Sequence, residues 1–191
     1  MGLNRLIPIL MATMVLAALV LAAPVAAQDA PTPSGFPVPR FVSLKAGVAN
    51  GRAGPEQAHP IVWRYVRAGL PMEVIAETAD WRRVRDPEGE VTWMHRSLLS
   101  ARRSVIALSD TPLLARPAAD APVEAVADTG AVMWLERCRD GWCRIEAQGH
   151  RGWADVSTLW GIYDSERDGE AAAAQRNPAL SASAPHDTAP G

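Results

Sequence analysis

Two cysteines carry the most distinctive chemistry of this sequence, and four residues separate Cys138 from Cys143. Thiol oxidoreductases place two residues between their cysteines, and no lysine or histidine next to this pair would favour a thiolate. Two thiols and four scattered histidines also do not make a metal-ligand set. The pair is therefore not predicted to be a redox or metal site, and it forms either a disulfide or two free thiols.

The other reactive residue types show no spacing that predicts catalysis. No two histidines are placed to hold a metal or to form a nucleophile–base pair, and the sequence contains neither a Gly-rich phosphate loop nor a Ser-centred nucleophile elbow. We therefore predict no enzymatic activity, no cofactor and no metal site. The histidines, which we interpret as incidental, are His59, His95, His150 and His186.

Arginine side chains surround Trp81 in the sequence and suit the binding of an anionic ligand. A guanidinium group binds a carboxylate through two parallel hydrogen bonds. The alternative is a solvated surface whose positive charge is balanced by Glu73, Glu77, Asp86 and Glu88. The arginines are Arg64, Arg67, Arg82, Arg83 and Arg85.

The elements that position these residues occur twice in the sequence. Residues 69–84 and 130–145 align without a gap at an offset of 61, which brings Trp81 onto Trp142. The match resumes at an offset of 60 after a one-residue deletion. A period near 60 is too long for a solenoid repeat and is typical of two small tandem domains.

Within each copy the hydrophobic pattern is that of short strands. Met72, Val74 and Ala76 alternate with Glu73 and Glu77, which gives a period of two. Turn residues separate such segments, and a further strand begins at each aligned tryptophan. About five strands in roughly 60 residues indicate a small barrel. We therefore predict an all-β fold of two tandem barrels that pack against each other.

The chain begins with a segment typical of a secretory signal peptide. Leu6 to Val20 is an almost uninterrupted apolar run, and Val25-Ala26-Ala27 offers small residues for cleavage. We predict export, to the periplasm or beyond, with no membrane span after cleavage; an uncleaved anchor is the alternative. The predicted divisions are a signal peptide at 1–27, a Pro-rich linker at 28–40, a first domain at 41–102, a second at 103–163 and a disordered tail at 164–191.

The two halves of the chain differ in charge. Residues 41–103 carry ten basic and seven acidic side chains, whereas residues 104–164 carry five basic and nine acidic ones. The formal net charge of the whole chain is −2, which does not suggest a nucleic-acid partner. The asymmetry is either ordinary surface charge or the mark of two faces with different partners.

The alignment of the two copies places Cys138 and Cys143 on Glu77 and Arg82. Positions that exchange an acid–base pair for two thiols are expected to face each other across a hairpin, where cross-strand Cβ atoms lie about 4.5–5.5 Å apart. Export makes a disulfide the default for such cysteines. We therefore predict a disulfide in the second domain and an exposed ion pair in the first.

Three stretches of the sequence resemble bacterial SH3-like domains. Residues 50–55 (NGRAGP) are similar to the family's Asn-x-Arg-x-Gly-Pro stretch, residues 80–84 (DWRRV) to its central tryptophan strand, and residues 141–145 (GWCRI) to the same strand in the second domain. The second domain lacks the first stretch and has Leu-Ala-Arg-Pro at 114–117 instead. The resemblance implies two tandem SH3-like barrels and a role in cell-wall or peptide binding.

The resemblance also implies which side chains contact a ligand. In eukaryotic relatives of this barrel, the tryptophan that corresponds to Trp81 lines a peptide groove. We therefore predict a non-catalytic protein of the cell envelope that binds peptidoglycan or an extended peptide. The alternatives are a scaffold that docks another envelope protein and an accessory subunit of a wall-remodelling enzyme. The candidate ligand-binding residues are Trp81, Tyr65, Arg64, Arg83 and Trp142.

Overall fold

The computed structural model describes residues 32–167 and shows two antiparallel β-sheets of seven strands each. The predicted signal peptide and all but the first four residues of the predicted tail lie outside the described residues. Between residues 32 and 167, no helix has the length and apolarity needed to cross a membrane. The predicted all-β fold of two tandem barrels is confirmed.

Each barrel is built from short strands that follow one another along the chain. The first contains β1 (Arg40–Leu44), β2 (Ala49–Arg52), β3 (Ile61–Tyr65), β4 (Pro71–Glu77), β5 (Trp81–Arg85), β6 (Val91–His95) and β7 (Leu99–Ser100). The second contains β8 (Ser104–Ala107), β9 (Thr111–Leu114), β10 (Val123–Ala127), β11 (Val132–Arg139), β12 (Trp142–Ala147), β13 (His150–Asp155) and β14 (Leu159–Trp160).

The two sheets have the same topology. Their strand orders are β3-β2-β6-β5-β4-β1-β7 and β10-β9-β13-β12-β11-β8-β14, so each strand of the first has its counterpart seven strands later. The repeat in the sequence is thus a repeat of the whole fold. Each sheet has seven strands rather than the expected five, in part because β7 and β14 span two residues each, which is too short for a period of two to be visible.

The inward-facing side chains of the central strands form the two hydrophobic cores. Met72 and Val74 of β4, Val84 of β5 and Met94 of β6 are fully buried in the first barrel. Each such side chain contributes about 1.5–3 kcal/mol when it leaves water. Residues between these positions, such as Arg83 of β5 and Val91 of β6, are exposed. The second core centres on Met133, Ile145 and Leu159.

The barrels pack against each other, as expected, and only residues 101–103 connect β7 to β8. The ring of Phe41 meets the ring of Trp160 edge-on, with 5.2 Å between centroids. The hydroxyl of Tyr163 accepts a hydrogen bond from the backbone N–H of Phe41 at 3.0 Å. Ser104 Oγ donates a hydrogen bond to the carbonyl oxygen of Gly69 in the first barrel. Aromatic contacts and hydrogen bonds between side-chain hydroxyls and the backbone therefore join the two domains.

Segments on either side of the barrels fold back onto them. Ser34, in the predicted linker, donates its backbone N–H to the carboxylate of Glu77 at 2.7 Å. Helix α1 (Asp164–Arg167) forms at the start of the predicted tail. Both carboxylate oxygens of Glu166 accept hydrogen bonds from Arg103 at 2.8 Å. These contacts extend the folded unit beyond the two sheets.

Candidate ligand-binding clefts

A cleft of about 330 Å³ opens beside Trp81 in the first barrel. Strand alternation explains why the indole is available, because Arg82 and Val84 turn inward and Trp81 and Arg83 therefore turn outward. The cleft combines one aromatic ring with several hydrogen-bonding groups, an arrangement suited to a peptide or sugar ligand. Its polar and aromatic lining consists of Asn50, Arg52, Gln57, Trp81, His95 and Ser97.

His95 holds one wall of this cleft in place. It pairs with Trp81 across β5–β6, and the two rings meet edge-on with 5.5 Å between centroids. Its Nδ1 caps the 3-10 turn Arg96–Leu98 by accepting the backbone N–H of Ser97 at 3.4 Å, and Ser97 Oγ lies 2.7 Å from the same nitrogen.

This role of His95 was not predicted, because the sequence indicates only an incidental histidine at this position. The repeat nevertheless contains an indication of this role. His95 aligns with Asp155, a residue type that favours helix caps, and Ser157 follows two positions later. In the second barrel Asp155 accepts the backbone N–H of Ser157 at 2.7 Å. The two barrels thus cap the same turn with different side chains.

A second depression, of about 440 Å³, adjoins the first cleft and shares His95 and Ser97 with it. Its wall includes Phe36, Arg40 and Arg96, so it adds positive charge to the polar cleft. The guanidinium of Arg40 also lies 5.8 Å from the centroid of the Phe36 ring. The two hollows together form one surface that runs along both sides of the capped turn.

The remaining predicted ligand residues of the first barrel lie in different places. Tyr65 is only 4% exposed, and its hydroxyl donates a hydrogen bond to Asp86 at 3.1 Å. Burial, together with the Asp86 carboxylate, raises the pKa of Tyr65 above its ordinary value. Arg64 is exposed on β3 and outside the lining of the cleft, although it lies directly opposite Asn50, which lines it. Arg83 lies on the same face as Trp81, opposite Trp93, and is also outside the lining. Of these four predicted residues, Trp81 is therefore the one that lines the cleft.

The second barrel has an equivalent cleft beside Trp142, of about 260 Å³. Its polar lining has been replaced, because Pro112 and Leu114 stand at the strand positions that Asn50 and Arg52 hold in the first barrel. The remaining lining residues of this cleft are Ala119, Ala121, Val123, Asp155 and Thr158. The duplicated site has therefore diverged into one polar and one apolar version.

The predicted disulfide and ion pair occupy equivalent places, as the alignment indicates. Cys138 and Cys143 are joined across β11–β12, and Glu77 pairs with Arg82 across β4–β5 at 3.1 Å. The expectation of an exposed ion pair is wrong, because the side chains of Glu77 and Arg82 are only 1% and 9% exposed. The cause is that Ser34, in the segment before β1, and Arg40, the first residue of β1, both bind the Glu77 carboxylate.

The environment of Glu77 changes its acidity. Burial alone would raise the pKa of its carboxyl group, but the hydrogen bonds from Ser34 and Arg40 outweigh burial and lower that pKa from 4.5 to about 2. The carboxylate therefore stays charged throughout the physiological range. Within residues 32–167, no cluster of three or more His, Cys, Asp or Glu side chains is placed to hold a metal ion.

Comparison with known proteins assigns the fold to a family. No curated protein matches the sequence. Two solved structures from Trichomonas vaginalis are similar at a distance: NlpC2 (13% identity, TM-score 0.30, covering 65% of this chain and 49% of that one) and NlpC1 (12%, 0.31, 69% and 51%). The chain spans about half the length of these proteins. The family model of the bacterial SH3 domain matches residues 45–101 and 109–161, more than half of the chain, and the protein therefore belongs to the bacterial SH3 domain family.

Proposed function

We propose that this protein is a non-catalytic binding protein of the cell envelope and that its first barrel recognises peptidoglycan or another extended peptide. The observation that supports this most directly is the outward-facing Trp81 ring in a cleft that also presents Asn50, Arg52 and Gln57. An aromatic ring surrounded by hydrogen-bonding groups is the usual design of a peptide groove. The disulfide is consistent with an oxidising, extracytoplasmic location.

The shape of the surface favours an extended ligand. The cleft beside Trp81 and the depression beside Arg40 meet at His95 and Ser97, so a ligand can contact both. Its chain would cross the capped turn between the two hollows.

The charge of the surface favours a ligand with carboxylates. Arg96 pairs with Asp80 at 3.1 Å, and both side chains are well exposed. An exposed ion pair contributes about 0–1 kcal/mol, so a ligand carboxylate can replace Asp80 at little cost. Peptidoglycan stem peptides are extended and carry such carboxylates.

The apolar cleft of the second barrel favours a second candidate function, that of a scaffold for another envelope protein. Pro112, Leu114 and Trp142 line it and offer few hydrogen-bonding groups. Such a surface suits an apolar segment of a protein partner better than a sugar or a charged stem peptide. The first barrel would then bind the wall while the second binds a protein.

Co-sedimentation of the exported protein with purified peptidoglycan tests the leading proposal. We expect the wild type to sediment, Trp81→Ala to lose this property, and Trp142→Ala to keep it, because Trp142 lies in the apolar cleft. Thermal unfolding monitored by circular dichroism checks that both variants remain folded.

Two results would reject the proposal. Wild-type protein that stays in the supernatant does not bind the wall, and crosslinking to envelope proteins is then the next experiment. Loss of sedimentation in Trp142→Ala but not in Trp81→Ala would place the binding surface on the second barrel.

A further inference from the structure

Each sheet has a five-residue edge strand that is open on one side. β3 and β10 end the two sheets at this side, and the two-residue strands β7 and β14 end them at the other. Among residues 32–167, β3 pairs only with β2 and β10 only with β9. One row of backbone N–H and C=O groups in each strand is therefore available to another strand.

Both open strands expose apolar side chains. Four of the five residues of β3 are exposed, and they include Val62 at 52% and Trp63. In β10 the exposed residues include Val123 and, at 58%, Val126. Single exposed apolar residues are common, but proteins usually protect an edge strand with lysine, proline or a covering segment. In the part of the chain that the structure describes, a β-bulge at Val62 in β3 and one at Glu124 in β10 offer some protection against pairing with another strand.

The two edges carry opposite charge. Arg64 of β3 is exposed and forms no ion pair with any residue between 32 and 167. Glu124 of β10 is exposed, as is Asp128 directly after that strand. Neither carboxylate forms an ion pair with any residue between 32 and 167. The barrels as a whole follow this pattern, because the first has a basic excess and the second an acidic excess. Opposite charges favour contact between unlike edges over contact between like ones.

The faces of the two strands also match. Tyr65 and Ala127 point into their barrels, so Arg64 and Val126 point outward. An antiparallel pairing that keeps like faces together sets Arg64 opposite either Val126 or Glu124. In the first case Glu124 is a diagonal neighbour and in the second a direct one, so the guanidinium reaches the carboxylate in both. Trp63 then lies against a small residue, an alanine of β10.

We propose that β3 of one molecule adds in antiparallel orientation to β10 of a second copy. This contact joins two different surfaces, so it leaves β10 of the first molecule and β3 of the second open. Further copies can add at both ends until the assembly closes or extends. The strand pairing uses backbone groups and needs no ligand, so its test does not depend on the cleft beside Trp81, although Val123 of β10 also lines the apolar cleft of the second barrel.

Sedimentation-velocity ultracentrifugation over a range of concentrations tests this proposal. We expect the wild type to form species larger than a monomer, while Val62→Lys and Val126→Lys are each monomeric because a lysine blocks one of the two edges. The matched control is Leu108→Lys, which changes a residue that is 53% exposed outside both strands and should associate like the wild type. All three positions are exposed, and thermal unfolding verifies the fold of each variant.

Mixing the two blocked variants gives the sharpest result. Val62→Lys retains an open β10 and Val126→Lys retains an open β3. An equimolar mixture should therefore form a dimer of one molecule of each variant and no larger species. A mixture that stays monomeric overturns the proposal. Self-association of Val126→Lys alone would mean that β3 pairs with β3, and a monomeric wild type would mean that no second copy covers these edges; either result also overturns it.

Discussion

The carboxylate of Glu77 lies 3.1 Å from the guanidinium of Arg82, at the pair of strand positions that the disulfide occupies in the second barrel. In both barrels the link joins the two strands of one hairpin, whose second strand begins at the aligned tryptophan, Trp81 or Trp142. The two links differ in what breaks them. An ion pair fails when its acid is protonated or removed, whereas a disulfide fails when it is reduced.

We expect Glu77→Gln to lower the free energy of unfolding by about 3 kcal/mol. The substitution removes the carboxylate between Arg40 and Arg82, and the loss of one partner from a buried ion pair typically costs about 3–5 kcal/mol. Urea unfolding monitored by tryptophan fluorescence measures the change. Glu73→Gln is the matched control, because its partner Arg85 is half exposed and the pair should contribute less than about 1 kcal/mol. Equal effects of the two substitutions would contradict the buried role of Glu77.

The pKa of Glu77 predicts how stability changes in acid. Its pKa is about 2 in the folded protein, below the ordinary value of 4.5. The resulting stabilisation is fully present above pH 4.5 and is lost as the pH falls toward 2, because the unfolded chain takes up the proton first. Unfolding measured between pH 6 and pH 2 should therefore show a steeper loss for wild type than for Glu77→Gln. Parallel curves would contradict the prediction.

The disulfide should stabilise the second barrel by a smaller amount. Cys138 and Cys143 are five positions apart, and closing so short a loop removes unfolded-state entropy worth about 2 kcal/mol. The double variant Cys138→Ser/Cys143→Ser should lose about that amount of unfolding free energy. Reduction of the wild type by dithiothreitol should give the same loss. A reduced wild type as stable as the oxidised one would show that the link does not stabilise the fold.

The cap formed by His95 can be exchanged for the cap of the second barrel. His95→Asp should preserve the turn, since Asp155 holds the equivalent turn by accepting the N–H of Ser157. His95→Ala should lose about 1 kcal/mol, the usual contribution of a cap. Thermal unfolding of both variants measures this difference. Aspartate and alanine with the same effect would mean that the histidine cap does not stabilise the turn.

The features that could be predicted from the sequence are those that depend on local pattern or on the repeat. The alignment of Cys138 and Cys143 with Glu77 and Arg82 was sufficient to place both pairs across a hairpin. Strand alternation was likewise sufficient to indicate two barrels. Both features can be predicted because the paired strands of a hairpin are close in sequence.

The features that could not be predicted depend on which way a strand faces and on contacts between distant segments. Tyr65 and Arg64 are adjacent in the sequence, yet Tyr65 is buried and Arg64 is exposed on the edge strand, outside the lining of the cleft. Where aromatic and basic residues alternate along a strand, the period of two does not show which of the two sets points into the barrel. The burial of Glu77 has a different cause, because it depends on Ser34, 43 positions earlier in the chain.

The contact between Phe41 and Tyr163 predicts that the two barrels move as one body. The two residues are 122 positions apart, and the Tyr163 hydroxyl accepts the backbone N–H of Phe41 while the Arg103 guanidinium lies 4.4 Å from the tyrosine ring centroid. Tyr163→Phe removes only the hydrogen bond and should cost about 0.5–1.5 kcal/mol of unfolding free energy. Tyr163→Ala also removes the ring against which Phe41 and Arg103 pack, so it should cost more and loosen the docking. ¹⁵N relaxation distinguishes the two effects: the barrels should share one rotational correlation time in wild type and Tyr163→Phe, and separate times should emerge in Tyr163→Ala. A single shared time in all three proteins would mean that the remaining contacts, among them Phe41 against Trp160, suffice to dock the barrels without Tyr163.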